Sequence, residues 1–349
     1  MNFLRLAACG YPLLRPLLFA LNPELAHHLT IRALAWFQSC GFAAPSSPSG
    51  PSTPSLRIMG LDFPNRLGLA AGLDKGAECI DAFAALGFGS VEVGTLTPRP
   101  QAGNAQPRLF RLPSRQALIN RMGFNNPGME TAIARIQRRR SRAILGVNIG
   151  KNFDTPLEHA AGDYLACLRA AYPHAGYIAV NLSSPNTQGL RQLQSVEHSR
   201  PLLQALIQEQ ERLTAQTGRW VPIAVKIAPD LEDTHIDELA SLFLELGLDG
   251  VIATNTTVSR PGLEGIRHAA ETGGLSGAPL HRRSTEVVAR LHQCLQGRIP
   301  VIGSGGILSA ADAREKLQAG AALVQIYTGL VYRGPALVRE ILQLPEAVA

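Results

Sequence analysis

At 349 residues the chain has room for one large domain with an appendage or for two ordinary domains, and a composition 46% hydrophobic and 17% charged excludes a disordered or coiled-coil protein. Its net charge of +6 would suit a nucleic-acid partner, but only four of the 33 basic residues are lysine and no long basic stripe appears. The surplus therefore reads as an arginine-rich composition, and no nucleic acid is expected.

Five scattered cysteines (Cys9, Cys40, Cys79, Cys167 and Cys294), with no C-x-x-C pair, argue against a disulfide framework or a cysteine-held metal, so no metal is expected. Near the start, Leu6-Ala7-Ala8-Cys9 superficially resembles a lipoprotein cleavage site. The apolar stretch before it is short and interrupted by Arg5, and no run reaches the roughly 18 apolar residues of a spanning helix. Leu13, Leu14, Leu17, Leu18 and Leu21 then fall on one side of a helical wheel. Asn22-Pro23-Glu24 supplies an N-cap, a first-turn proline and an early acid for a second helix. That helix carries a stripe of Leu25, Leu29, Ala33 and Trp36, with Ile31 and Leu34 on its other side. Helices apolar on more than one face need partners: the main domain, a membrane surface, or both. Residues 1–42 are therefore read as a helical membrane-contacting segment, the Pro/Ser/Gly-rich 43–55 as a linker, and 56–349 as the catalytic domain.

After the linker, eight short apolar runs alternate with helical patterns: Arg66–Lys75, Ser90–Thr97, Ala143–Lys151, Tyr177–Asn186, Pro222–Pro229, Asp249–Thr256, Pro300–Ile307 and Leu323–Gly329. The helical stretches are Thr155–Tyr172, Val196–Thr217, Asp233–Leu246, Ser284–Leu295 and Ser309–Ala319, and Arg138, Arg139, Arg140 and Arg142 cluster at a further helix end. The count predicts an α/β fold of the (β/α)8 TIM-barrel type with a small N-terminal helical extension; a doubly wound open sheet is the alternative. Two connections, Pro98–Pro127 and Thr257–Arg283, are longer than a barrel needs and follow strands, so both are expected over the catalytic face.

The strand ends are polar in a way that structural strands are not, and three of the four lysines (Lys75, Lys151 and Lys226) lie at or near them. In a barrel these ends converge on one pocket. Gly303–Gly306 and Tyr327-Thr328-Gly329, on the last two strands, read as a phosphate cradle, with Gly273–Gly277 a possible source of further N–H donors. Lys226 suits the electron-rich edge of a ring, while Asn148, Thr95 and the Ala71-Gly72 backbone suit a flat heterocycle. Asn120, Asn181, Asn186 and Asn255 offer paired donors and acceptors to a small ring with imide edges, and Lys75 can neutralise a carboxylate. The constellation reads as FMN with a small, polar, anionic substrate.

The stretches GLAAGLDK (68–75), VEVGTLTPRPQAGNAQPRLFRL (91–112), NRMGFNN (120–126), GVNIGKN (146–152), NLSSPNTQGLR (181–191), PIAVKIAPDL (222–231), GVIATNTT (250–257), TGGLSGAPL (272–280) and LVQIYTG (323–329) closely resemble dihydroorotate dehydrogenase, in order and over nearly the whole chain after the linker. The branch it resembles is the quinone-dependent, membrane-associated class 2. Where the soluble members generally carry a cysteine base in N-x-S-C-P-N, this chain has Ser184, and it also has the helical extension of the membrane-associated branch. Two departures stand out: Lys75-Gly76-Ala77-Glu78 replaces the usual Lys-Asp-Gly-Glu, and Gly303-Ser304-Gly305-Gly306 replaces Gly-Val-Gly-Gly.

The resemblance implies oxidation of dihydroorotate to orotate in pyrimidine synthesis, with FMN as hydride acceptor and a membrane quinone, ubiquinone or menaquinone, as terminal acceptor. It implies cofactor contacts from Ala71, Gly72, Leu73, Asp74 and Lys75, from Thr95, Asn148, Asn181 and Lys226, and from Thr254, Gly277, Gly306, Tyr327 and Thr328. Substrate contacts are implied for Lys75, for Asn120, Arg121, Met122, Gly123 and Phe124, and for Asn181, Asn186, Asn255 and Thr256. Ser184 is the implied base, with Thr187 and ordered water to relay its proton. A monomer held peripherally on the cytoplasmic face of the membrane is expected. The competing readings are a flavin dehydrogenase using fumarate or a nicotinamide, a barrel reducing transfer-RNA uridines, and a non-catalytic membrane scaffold.

Overall fold

The computed structural model describes residues 3–41 and 56–345, so the linker expected at 43–55 lies outside the described residues. Two helices come first, α1 (Phe3–Ala20) and α2 (Pro23–Ser39). The Asn22 side chain accepts from the backbone N–H groups of Glu24 and Leu25, at 3.0 and 3.2 Å, with Pro23 in the first turn. A hairpin, β1 (Leu56–Ile58) and β2 (Leu61–Phe63), follows.

Eight parallel strands then close on themselves in chain order: β3 (Leu67–Leu69), β4 (Ser90–Leu96), β7 (Ile144–Ile149), β8 (Tyr177–Asn181), β9 (Ile223–Ile227), β10 (Gly250–Ala253), β12 (Val301–Ser304) and β13 (Ala321–Ile326), the last pairing with β3. Each strand falls on one of the eight apolar runs, so the barrel holds and the open sheet is excluded. Around it stand α3 (Ile80–Ala85), α4 (Met129–Ile136), α5 (Ala160–Ala171), α6 (Val196–Thr217), α7 (Asp233–Leu246), α8 (His281–Leu295), α9 (Ala310–Gln318), α10 (Thr328–Arg333) and α11 (Pro335–Leu342). The β1–β2 hairpin plugs one end of the barrel, packing Phe63, Leu56, Ile58 and Leu61 against Tyr177, Ala179, Ala224, Ile252, Ile302 and Leu323.

Over the other end lies a second sheet. Strands β5 (Leu109–Leu112) and β6 (Ala117–Asn120), inside the first long connection, form an antiparallel hairpin, and β6 also pairs with β11 (Gly274–Gly277) of the second. The two long connections are thus one three-stranded cover.

The N-terminal helices dock through one face only. Tyr11 and Arg15 of α1 donate to the carbonyls of Val331 and Tyr332 at 2.5 and 3.0 Å, and Phe19 meets the Tyr332 ring edge-on at 5.3 Å. Arg111 donates to the carbonyls of Leu18, Phe19 and Leu21, satisfying the end of α1. The opposite face is bare: Leu13, Leu17 and Trp36 are 79%, 68% and 65% exposed, beside exposed Leu14, Leu21, Leu25 and Leu29. Among the described residues no helix is long and apolar enough to cross a membrane.

Candidate active site

The strand ends do converge. Ala71 and Gly72 follow β3, Thr95 ends β4, Asn181 ends β8, Lys226 lies on β9 in register with Asn181, Thr254 follows β10, Gly306 follows β12, and Tyr327 and Thr328 follow β13. All of them line one cleft with Lys75, Asn120, Met122, Gly123, Phe124, Ser184, Asn186, Asn255, Thr256 and Gly277.

A hydrogen-bonded floor sets its geometry. Thr95 Oγ1 donates to Asn148 Oδ1 at 2.6 Å, and Asn181 Nδ2 donates to both of those oxygens at 3.0 and 3.2 Å. Asn148 Nδ2 donates to Glu92, a fully buried carboxylate that also accepts from Tyr177 Oη and Gln325 Nε2 at 2.8 and 2.7 Å. Sequence reasoning misses Glu92 and Gln325; the available signal is a charged residue inside the apolar strand Ser90–Leu96.

Lys226 stands above this floor, buried, with no hydrogen-bond partner among the described residues. Burial lowers its pKa, and the charge of Glu92 acts the other way. Gln325 Oε1, also buried, has no partner. A lone ammonium and an orphan carbonyl in a polar cleft fit a flat ring that presents both acceptors and donors. At the far end, Gly277 has φ +97° and a Cβ there would stand 3.0 Å from Thr328 Cγ2, while Gly305 and Gly306 also have positive φ. Thr328 donates to Ser276 at 2.8 Å at the start of the short helix α10. Loops after the last two barrel strands plus a short extra helix are where barrels hold phosphate.

The asparagines form a chain on the substrate side. Asn186 Nδ2 donates to Asn120 Oδ1 at 3.2 Å, and Asn255 Nδ2 donates to Asn181 Oδ1 and Ser183 Oγ at 3.2 and 3.0 Å. Ser184 Oγ accepts from the Asn186 N–H at 3.3 Å, and the buried Thr187 hydroxyl has no partner. Lys75 Nζ donates to Gly72 O at 2.8 Å, and burial lowers its pKa to about 8. Arg191 ties Ser183 O to Thr256 O, at 3.2 and 3.0 Å, and so joins two loops of the rim.

Some expected residues stand elsewhere. Asn148 lies in the floor, one hydrogen bond below the lining. Asp74 faces away from the cleft, accepting from the N–H groups of Glu78 and Cys79 at 2.7 and 2.8 Å, and burial raises its pKa to about 6. It holds the turn that carries Lys75. Arg121 turns outward to Glu271 at 2.7 Å and over the Phe110 ring at 4.7 Å. Lys151 closes its own loop, donating to the carbonyls of Asn152 and Thr155. Ala77, in the departing Lys-Gly-Ala-Glu run, has φ +57°, which explains a glycine at that position in the family's usual pattern.

Leu73 lines a different cavity, of about 620 Å³, roofed by α1 and α2 and walled by Leu118, Leu330 and Val331. It is largely apolar, with Tyr11, His27 and Arg111 among its polar members. Burial, and then the charges of Lys75 and His28, push His27 down to about 3, so its ring is neutral at physiological pH. Tyr327 lines both this cavity and the polar cleft.

The barrel mouth, with its amide floor, unpartnered Lys226 ammonium and glycine cradle, has the lining that a flavin-dependent oxidoreductase needs. The family model described as dihydroorotate dehydrogenase matches residues 55–347, and the chain belongs to that family. Curated relatives named dihydroorotate dehydrogenase (quinone) include one from Methylococcus capsulatus, 57% identical over 94% of this chain and 96% of that protein. Another, from Azotobacter vinelandii, is 55% identical over 97% and 96%. A crystal structure of DHODH in complex with ferulenol, from Eimeria tenella, superposes with a TM-score of 0.83 at 40% identity, covering 91% of this chain and 89% of that one.

Proposed function

We propose that this chain oxidises dihydroorotate to orotate for pyrimidine synthesis, with FMN in the cleft and a membrane quinone as final electron acceptor. The observation that carries the reading is Tyr327, whose side chain separates a polar, cation-bearing cleft from an apolar cavity opening beneath α1 and α2. One pocket suits an anionic ring; the other suits a greasy one.

When bound, FMN supplies a ring that accepts a hydride. Lys226 and the amides of Asn181 and Gln325, backed by Asn148 in the floor, would hold that ring, and Gly277, Gly305, Gly306 and Thr328 would hold its phosphate. Asn120, Asn181, Asn186 and Asn255 orient the imide edges of the substrate, and Lys75 faces its carboxylate. Ser184 removes the C5 proton as hydride leaves C6. Serine is a weak base unaided, and the buried, unpartnered Thr187 hydroxyl of the same loop would pass that proton on through water. Pro185, directly after Ser184, has a fixed φ that stiffens the loop presenting the Ser184 hydroxyl.

The exposed leucine face of α1 and α2 rests on the cytoplasmic surface of the membrane in this reading, giving a quinone a route from lipid to the apolar cavity. The test is an absorbance spectrum of the purified protein. It should be yellow, bleach on adding dihydroorotate, and recover its colour with a quinone but not with fumarate or a nicotinamide. Denaturation should release FMN; recovery with fumarate, or a colourless protein, overturns the reading.

A further inference from the structure

The cleft does not account for Lys316. This residue of α9 is fully buried and makes no ion pair among the described residues. Its stem occupies the space that a side chain on Gly303 would need, with Cγ and Cδ each 2.8 Å from where that Cβ would stand. The ammonium reaches past β12 to the first turn of α8, where Nζ donates to Ser284 Oγ at 2.7 Å and to Thr285 Oγ1 at 2.9 Å. Ser284 Oγ in turn lies 2.9 Å from Gly305 O, and Gly306 packs so closely on His281 that a Cβ there would collide with its backbone. The ammonium is therefore one hydroxyl away from the back of the Gly305–Gly306 turn, whose front lines the cleft.

Burial pushes Lys316 down to about 7, against the opposing charges of Glu315 and Asp312 on its own helix. From α8, the His281 ring faces Glu315 at 2.9 Å, and the His292 ring packs against Gly320. Two neutral hydroxyls do not offset the desolvation of an ammonium.

We propose that Lys316 is a positioning residue for the flavin phosphate: it fixes the Gly305–Gly306 turn through Ser284 and places a positive charge behind it without touching the ligand. The inference rests on the FMN reading above. A bound phosphate dianion holds the ammonium protonated, so FMN affinity falls once pH rises far enough to discharge it.

The experiment dilutes the holoprotein and follows released flavin by fluorescence from about pH 7 to 10, around the ordinary lysine range. Wild type should lose FMN faster as pH rises. Lys316→Met should lose it about tenfold faster at neutral pH, the scale of one lost charge interaction, with a flatter pH profile. Its flavin midpoint potential, set at the ring end, should not move. Ser284→Ala, a smaller change, should loosen FMN while keeping the pH dependence. FMN released at the wild-type rate from both variants overturns the proposal and leaves the FMN reading standing. A released flavin without a phosphate overturns both.

Discussion

Arg108 and Glu24 form a buried ion pair 84 residues apart in sequence, with the guanidinium Nε and Nη2 both donating to Glu24 Oε1, at 3.0 and 2.7 Å. The same guanidinium donates through Nη1 to the carbonyls of Ala102 and Asn104, both at 2.7 Å. One side chain therefore fixes the start of α2 to the long connection that covers the cleft. Burial raises the Glu24 pKa, but the hydrogen bonds and charge of Arg108 outweigh it and hold the carboxyl below its ordinary value. Glu24→Ala leaves a buried guanidinium without its partner, and the expected loss is about 3–5 kcal/mol in thermal or denaturant unfolding. A lowered carboxyl pKa contributes stability above its unfolded value and loses it as pH falls through the folded one. The wild-type acid limb below about pH 4 should therefore flatten in Glu24→Gln.

Ser184→Ala should keep fold and flavin while slowing flavin reduction by dihydroorotate roughly 10²–10⁴-fold, the usual worth of a general base. Ser184→Cys should retain part of the rate. Stopped-flow bleaching of the flavin measures both, and an unchanged rate in the alanine variant removes Ser184 from the role.

Lys226→Met should lower the flavin midpoint potential, because a buried ammonium favours the more negative reduced ring over the oxidised one. A redox titration against a reference dye reads the shift. An unchanged potential at full flavin occupancy makes Lys226 structural.

The barrel was legible because its strands are continuous apolar runs, buried on both faces, and because polar residues at their ends mark the pocket. Asp233–Leu246 and Val196–Thr217 match α7 and α6 residue for residue, since the C-cap glycines Gly247 and Gly218 end them. The cover sheet was not legible: β5, β6 and β11 are short runs inside Pro/Gly/Asn-rich connections, and the pairing of Leu118 with Ser276 spans most of the barrel's sequence. Of the site, most residues with distinctive chemistry lie along one cleft, whereas Glu92 and Arg191 act through their neighbours and Gln325 sits inside an apolar strand, so residue type alone did not single them out. Arg15 of α1 donates to the Tyr332 carbonyl, because the carbonyls that end α10 need a donor.

Ala77→Gly should stabilise the protein by about 1 kcal/mol, because Ala77 sits at φ +57°, where a Cβ is disfavoured. The gain is bounded by the packing of the buried Ala77 methyl. Thermal unfolding with flavin bound measures it, and a lower midpoint would mean that packing outweighs backbone strain.

On the outer face of the two helices Leu13, Leu14, Leu17, Leu21, Leu25, Leu29 and Trp36 are all exposed, with the cationic Arg15 and Arg32 exposed on the same helices. A patch of this kind marks an interaction site, and with the apolar cavity directly beneath it the partner proposed above is a lipid surface. Substituting Leu13 and Leu17 together by Asp tests this without disturbing the docked face, since neither side chain contributes to the core. The double variant should unfold at the wild-type temperature, bleach with dihydroorotate at the wild-type rate, and pass its electrons to a small soluble dye. It should fail to sediment with phospholipid vesicles, and its turnover with a long-tailed quinone held in those vesicles should fall at least roughly tenfold, as expected when a marginal apolar anchor is lost. Sedimentation at the wild-type level would place the membrane contact elsewhere on the protein.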